Sequence, residues 1–253
     1  IAFWLAARSA FDVTGTVPLA AVMLLTAALA LLTLLRGRLR WSAAPLLAGG
    51  AVLLMAHDVP DIFVSEDGRL VAVRLQDGRV AVNRARPNGF TMENWTRAMA
   101  SRSIVTPAKA REEDRGDAAF ACKAGNCTIA HPAGLIAHVG SAEAAKDLCG
   151  EAMLIVIDDA TAANPCGAAG ATVLTKRDLA RKGSAEISVR GPAAGAAHAS
   201  PSRLDLRFAI AEPYRPWHAH RAYSREARGL PPWQARPRNA APTESAPAER
   251  SVE

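Results

Sequence analysis

The sequence contains few aromatic residues, few lysines and few cysteines. Aromatic side chains make up 5% of the 253 residues, only five of the 30 cationic residues are Lys, and there are four Cys. Half of the residues are apolar and Ala is abundant, so the core must be built from small and aliphatic side chains. This composition excludes the collagen-like, coiled-coil and disulfide-dense miniprotein classes. A folded chain of this length holds one domain or two smaller ones.

Acidic residues are outnumbered by basic ones. The formal net charge is +6 at pH 7 and the isoelectric point is near 9.5. Because the excess is carried by Arg, it favours phosphate groups or anionic lipids as neighbours. The codon bias of a GC-rich genome produces the same excess, so charge alone leaves the two explanations open.

Two apolar runs near the N-terminus predict membrane-spanning helices. Residues 17–35 carry no charge, and a helix of that length would be roughly 28 Å long, close to the bilayer's hydrocarbon thickness. A buried helix of a globular protein is the alternative, although such helices rarely lack a polar stripe. Residues 41–56 form a shorter run, which is either a short span or a re-entrant segment. The three Arg within residues 36–40 predict a cytoplasmic loop between the runs. Residues after 57 are then expected outside the cytoplasm, provided that the second run crosses.

The rest of the chain predicts a small module of strands and helices. Asp67-Gly68 and Asp77-Gly78 separate three short alternating strands, which is typical of a β-meander. The apolar run 152–157 predicts a buried strand. Thr175 and Asp178 have the spacing of a helix capping box. The other predicted elements are helices over 88–100, 141–148 and 175–182 and strands over 127–130, 134–139, 186–190 and 204–210.

The four cysteines favour two disulfide bonds over a zinc site. They are Cys122, Cys127, Cys149 and Cys166, and no C-x2-C knuckle occurs among them. Three connectivities are possible. Pairing Cys122 with Cys127 and Cys149 with Cys166 closes two short loops and is the arrangement we favour. Free buried thiols and zinc binding are the alternatives.

Candidate catalytic residues are sparse. The sequence contains no G-x-S-x-G, Walker or H-E-x-x-H motif. Asp158-Asp159 end a buried strand, where catalytic carboxylates occur, although two adjacent Asp also commonly begin a loop. His131 and His138 flank a predicted strand pair and could meet across it. If these two His converged with Asp158, a metal-dependent nuclease would be supported.

A basic segment with interleaved aromatic residues follows the last predicted strand. It extends over residues 203–238, and this combination suits either single-stranded nucleic acid or a lipid headgroup layer. A solvated, weakly ordered tail is the alternative. The candidate contacts with DNA or another anion are Arg215, Trp217, Arg221 and Arg225.

The order of these features resembles the C-terminal part of the ComEC family of competence proteins, the polytopic inner-membrane proteins of bacterial DNA uptake. The resemblance covers residues 1–235 approximately and rests on no single diagnostic motif. The residues that carry it are FWLAARS (Phe3–Ser9), DVTGTVPLA (Asp12–Ala20), PDIFVSEDGRLVAVRLQDGRVAV (Pro60–Val82), the Cys149–Cys166 region, LTKRDLARKGSAEI (Leu174–Ile187) and Arg215-Pro216-Trp217.

The resemblance implies an α+β fold class in which transmembrane helices precede a small degenerate metallo-β-lactamase-like α/β module. Family members carry an H-x-H-x-D-H cluster that binds two metal ions. This chain has no such cluster, and Asp158-Asp159-Ala160-Thr161 stand where those members carry His-His-Gly-Ser. The resemblance therefore assigns no catalytic residue, no metal and no cofactor to this chain.

The implied function is translocation of single-stranded DNA during natural transformation. The expected domains are transmembrane helices over 1–57, an extracytoplasmic module over 58–212, and a basic then disordered tail over 213–253. Single-stranded DNA, the lipid bilayer and other competence proteins are the expected partners, and a multi-pass protein of the bacterial inner membrane is the expected localisation. The chain begins within an apolar pattern at Ile1, which predicts the C-terminal piece of a longer protein. The alternatives are a structural extracytoplasmic domain without DNA contact and a metal-dependent nuclease with atypical ligands.

Overall fold

The computed structural model describes residues 15–107, 119–167, 170–190, 203–210 and 215–234. Within these ranges, a helical hairpin is followed by two β-sheets and their flanking helices. The first 14 residues of the predicted transmembrane domain and residues 235–253 of the predicted tail lie outside the described residues. The predicted division at residues 57 and 212 stays a prediction.

The first apolar run forms a shorter helix than its length predicts. Helix α1 spans Leu19–Leu34, because Pro18 before it and Leu35 after it both have extended backbone. A 3₁₀ helix over Gly37–Ser42 then leads into helix α2, Ala43–Met55. At 1.5 Å per residue, α1 is about 24 Å long and α2 about 20 Å, against about 30 Å of hydrocarbon.

None of the helices in the described part of the chain is long and apolar enough to cross a membrane. The predicted fold class, which began with transmembrane helices, is therefore contradicted. The predicted multi-pass localisation in the inner membrane is contradicted by the same finding. The expected placement of residues after 57 outside the cytoplasm loses its basis, because it required two complete crossings.

Small residues form the contact between α1 and α2. Ala21, Ala28 and Ala43 are fully buried there. A Cβ atom added to Gly50 would lie 2.8 Å from the Leu25 side chain, so only glycine fits this crossing without a shift. Most of the long apolar side chains of the hairpin point away from the contact and are exposed.

The first sheet contains the predicted meander. Its strand order is β11-β10-β1-β2-β3-β4. The predicted Asp-Gly turns at Gly68 and Gly78 join β1 to β2 and β2 to β3, and both glycines have positive φ angles. The hairpin of β10 and β11 adds to the free side of β1. The strands are β1 Ile62–Val64, β2 Val71–Arg74, β3 Val80–Val82, β4 Ile104–Val105, β10 Ala185–Arg190 and β11 Arg203–Phe208.

The second sheet has the order β5-β6-β7-β8-β9. Its first three strands are antiparallel, whereas β7, β8 and β9 run parallel to each other. The predicted apolar strand β8 is buried on both faces, with Leu154 and Val156 on one side and Ile155 and Ile157 on the other, which explains its nearly continuous apolar sequence. The strands are β5 Ala121–Lys123, β6 Asn126–His131, β7 Gly134–Val139, β8 Ala152–Ile157 and β9 Thr172–Thr175.

Helices and sheets form successive layers around three clusters of buried side chains. The largest cluster lies between the sheets and joins residues such as Ile62 and Val73 of the first to Ile136 and Leu154 of the second. Helix α3, Gly89–Ala98, packs through Met92 on the other face of the first sheet. Helix α4, Ala142–Lys146, covers the other face of the second sheet. Helix α5, Lys176–Lys182, follows β9 and inserts Leu179 into the core between the sheets.

Candidate nucleic-acid interface

The cysteines form two disulfide bonds in the second sheet and beside it. Cys122 and Cys127 face each other on β5 and β6, with their Cα atoms 4.1 Å apart. Cys149 and Cys166 are joined over a separation of 17 residues. These are the two pairs that the sequence favoured, and no cysteine is left free.

Charged side chains converge where β8 ends and α5 begins. The Asp158 carboxylate accepts a hydrogen bond from Lys176 Nζ at 2.6 Å and lies 3.6 Å from Arg69 Nε. The predicted capping box, formed by the Thr175 and Asp178 side chains, places Lys176 at the first position of α5. We call Asp67, Arg69, His138, Asp158 and Lys176 the mouth cluster, because contacts and charge interactions link them beside the β1–β2 turn and the end of β8.

His138 is the most deeply buried polar member of the mouth cluster. Its Nε2 donates to the Gly68 carbonyl at 3.0 Å, which assigns the ring proton to Nε2. Its Nδ1 is buried and has no hydrogen-bond partner among the described residues. Burial lowers the pKa of His138. This lowering is larger than the increase in pKa caused by the Gly68 hydrogen bond and by the charge of Asp158. The imidazole is therefore neutral at neutral pH.

Asp67 carries a charge in the mouth cluster, unlike the neutral His138. It accepts hydrogen bonds from the Ser65 hydroxyl and from the Arg69 backbone N–H. Burial alone would raise its pKa, but these hydrogen bonds and the charges of Arg69 and Lys176 together lower the pKa of the carboxyl. Asp67 is accordingly ionised and committed to its own turn.

The two candidate histidines do not meet. His138 pairs with Cys127 across the β6–β7 ladder, whereas His131 pairs with Gly134 at the other end of it. Four residues of strand separate these pairs, which is roughly 13 Å. The predicted approach of His131 to His138 is therefore wrong, and Asp158 contacts cations instead of a histidine. In the described ranges, no group of three His, Cys, Asp or Glu side chains is arranged to hold a metal ion.

The basic segment is held against the sandwich over residues 215–234. A 3₁₀ helix spans Pro216–Tyr223. Arg221 donates to Glu66 at 2.6 Å and to the Ala180 carbonyl at 3.2 Å. In return, Arg181 of α5 donates to the carbonyl of Ala227, which is fully buried. We call residues 215–234 the anchored segment.

The predicted contact residues divide into two groups on this segment. Arg215 and Trp217 are exposed, and the Arg215 guanidinium lies 5.3 Å from the centre of the Trp217 ring. Arg221 and Arg225 are half-buried and bonded within the protein, since Arg225 donates twice to the Pro231 carbonyl. The sequence did not distinguish the two groups, because their partners lie in other elements or in the following turn.

A cavity of about 650 Å³ separates the anchored segment from the mouth cluster. Its lining side chains include three carboxylates and three cations of Arg and Lys, so its charges balance. A polyanion therefore gains little by entering it. The outer face of the anchored segment is different, because Arg215 and Arg228 are exposed and Arg215 lies against the exposed Trp217 ring.

No family model, curated protein or solved structure matches this chain. The resemblance to the ComEC family therefore rests on the sequence features quoted above and stays a prediction.

Proposed function

We propose that this chain contacts single-stranded DNA through the outer face of the anchored segment, as part of a competence protein that moves DNA during natural transformation. The observation that carries the proposal is the exposure of two tryptophan rings on a segment that is itself held in place. Trp217 is 60% exposed and Trp233 71%. Tyr223 is also exposed, but it lines the cavity between the segment and the mouth cluster.

Exposed rings on an anchored backbone are suited to stacking against bases. Every base has a flat π-face, so aromatic stacking tolerates any sequence and contributes about 1–3 kcal/mol per base. Arg215 and Arg228 provide cations for the phosphates on the same segment. The contacts from Arg181 and Arg221 hold the segment before DNA binds, which reduces the entropy lost on binding.

A structural role without DNA contact is the second candidate. It is favoured by Arg221 and Arg225, whose guanidinium groups are bonded to other parts of the protein. On this interpretation, the basic segment stabilises the sandwich and its exposed rings contact nothing that carries bases.

Fluorescence anisotropy with a labelled oligothymidine tests the proposal on the full chain. Trp217→Ala and Trp233→Ala are each expected to weaken binding about tenfold, from the loss of one stacking contact. Phe90→Ala is the matched control, because Phe90 is an equally exposed ring on α3, outside the segment. Wild-type affinity in both Trp variants would overturn the proposal and leave the structural role.

A further inference from the structure

A second cavity lies at the end of the sandwich opposite the mouth cluster. The β1–β2 turn contributes to the mouth cluster, whereas this cavity adjoins the β2–β3 turn at the other end of β2. Its volume is about 510 Å³. It is lined by Arg74, Leu75, Gln76, Asp77, Ala130, His131 and Pro132.

Arg74 brings to this cavity a guanidinium group with one unpartnered nitrogen. Its Nε is buried and has no hydrogen-bond partner among the described residues. A buried donor that loses water without gaining an acceptor costs about 1–3 kcal/mol, and more when it is charged. The planar guanidinium donates in a fixed fork that matches carboxylate and phosphate oxygens. Arg74 therefore favours an oxyanion as its partner.

His131 supplies a neutral donor beside it. The ring is half-buried, and its Nδ1 accepts a hydrogen bond from the Ala133 backbone N–H at 3.2 Å. The proton of the neutral ring must then be on Nε2, which is free to donate. Burial lowers the pKa of His131 and outweighs the opposing charge of Asp61, so the neutral form prevails at neutral pH.

The carboxylates near the cavity are already engaged. Asp77 Oδ2 accepts from Arg79 Nε at 2.5 Å, and Asp77 Oδ1 accepts from the Arg79 backbone N–H. Asp61 Oδ2 accepts from the Val189 backbone N–H at 2.7 Å. Arg79 thus neutralises the charge of Asp77. Among the described residues, the Asp61 carboxylate has only a backbone N–H as its partner, so its charge partly repels an anion in the cavity.

We propose that this cavity binds a phosphate group, with Arg74 as the cationic ligand and His131 Nε2–H as a second donor. The site is distinct from the anchored segment and goes beyond the proposed function. A free phosphate or phosphomonoester and the phosphodiester of a nucleic-acid backbone share this chemistry, and the experiment separates them.

Isothermal titration calorimetry of the full chain, with inorganic phosphate and dimethyl phosphate as separate titrants, tests the proposal. Arg74→Gln is expected to weaken phosphate binding at least about tenfold, because one charge-assisted hydrogen bond is lost. His131→Gln is expected to weaken it less. Arg97→Gln is the matched control, since Arg97 is an exposed Arg of α3 that pairs with Glu93. Circular dichroism verifies folding, and Arg74→Lys replaces Arg74→Gln if the latter does not fold, with a smaller loss expected.

Each outcome decides the proposal. Binding of inorganic phosphate alone supports a site for free phosphate or a phosphomonoester, and binding of both titrants supports a phosphodiester site. Failure of the wild-type chain to bind either titrant would overturn the proposal, as would equal affinity in Arg74→Gln and Arg97→Gln. These results are separate from the oligothymidine experiment, since the Trp variants leave this cavity unchanged.

Discussion

The ammonium group of Lys176 lies 2.6 Å from the carboxylate of Asp158, and their side chains are only 12% and 22% exposed. The pair joins the end of β8 to the start of α5. The nearest other cation of Asp158, Arg69, is farther away and half-exposed. Lys176 is therefore the main counterion that keeps this strand end compatible with the adjoining core.

Lys176→Met is expected to lower the free energy of unfolding by about 2–4 kcal/mol, because it leaves a largely buried carboxylate without its main partner. Urea denaturation measures the change. Glu93→Gln is the control, since it breaks an exposed pair on α3 and is expected to cost about 0.5 kcal/mol or less. If the Lys176→Met protein were as stable as the Glu93→Gln protein, solvent would already be stabilising the charge of the Asp158 carboxylate.

His138 is expected to make stability depend on pH. Burial lowers its pKa in the folded protein below the ordinary value of 6.5, so the unfolded chain binds the proton more readily. The stability is fully present above the unfolded pKa and is lost as the pH falls through the folded pKa. His138→Gln removes the titration and keeps an amide donor for the Gly68 carbonyl. Its free energy of unfolding should fall less than that of the wild type between pH 7 and acidic pH, and parallel curves would refute this.

The two disulfide bonds are expected to stabilise the fold unequally. In the chain-entropy relation, the Cys122–Cys127 bond contributes about 2 kcal/mol and the Cys149–Cys166 bond about 3 kcal/mol, because the second closes the longer loop. Paired Cys→Ser variants, unfolded in urea under non-reducing conditions, measure both contributions. A larger loss for the Cys122–Cys127 pair would mean that packing in the hairpin, and not loop closure, determines the difference.

The arginines of the anchored segment are expected to differ in how they affect DNA binding. The logarithm of the affinity for single-stranded DNA falls linearly with the logarithm of the salt concentration, with a slope of about 0.7 per phosphate contact. Arg215→Ala should reduce that slope by about 0.7, and the triple Ala variant of Arg215, Arg221 and Arg225 by little more, because Arg221 and Arg225 are bonded within the protein. Titrations with oligothymidine at several salt concentrations measure these slopes.

Arg221 needs its own control, because it also anchors the segment. Glu66→Gln weakens the same anchor without removing an arginine. If Arg221→Ala flattens the salt slope no more than Glu66→Gln does, Arg221 acts through the anchor only. An unchanged slope in both Arg215→Ala and the triple variant would exclude DNA contact by these arginines.

The sequence by itself determined the local elements of the module. The Asp-Gly turns at Gly68 and Gly78, the Thr175–Asp178 capping box and the apolar strand β8 all stand where the sequence places them. Turns and caps depend on hydrogen bonds between residues a few positions apart. A strand buried on both faces can be recognised from its apolar composition.

The tertiary structure decided what depends on distant partners. It placed β10 beside β1, so that Val189 donates to Asp61 across 128 residues, and it separated His131 from His138 along one ladder. It turned Arg221 toward Glu66 while leaving Trp217 exposed, although the two residues are close neighbours in the sequence. Composition sets the apolar content of a segment such as 17–35, but Pro18 and the extended Leu35 set the length of its helix. The charge pattern shows which residues carry charge, whereas the packing of the sheets and α5 determines which of those charges are paired and which face solvent.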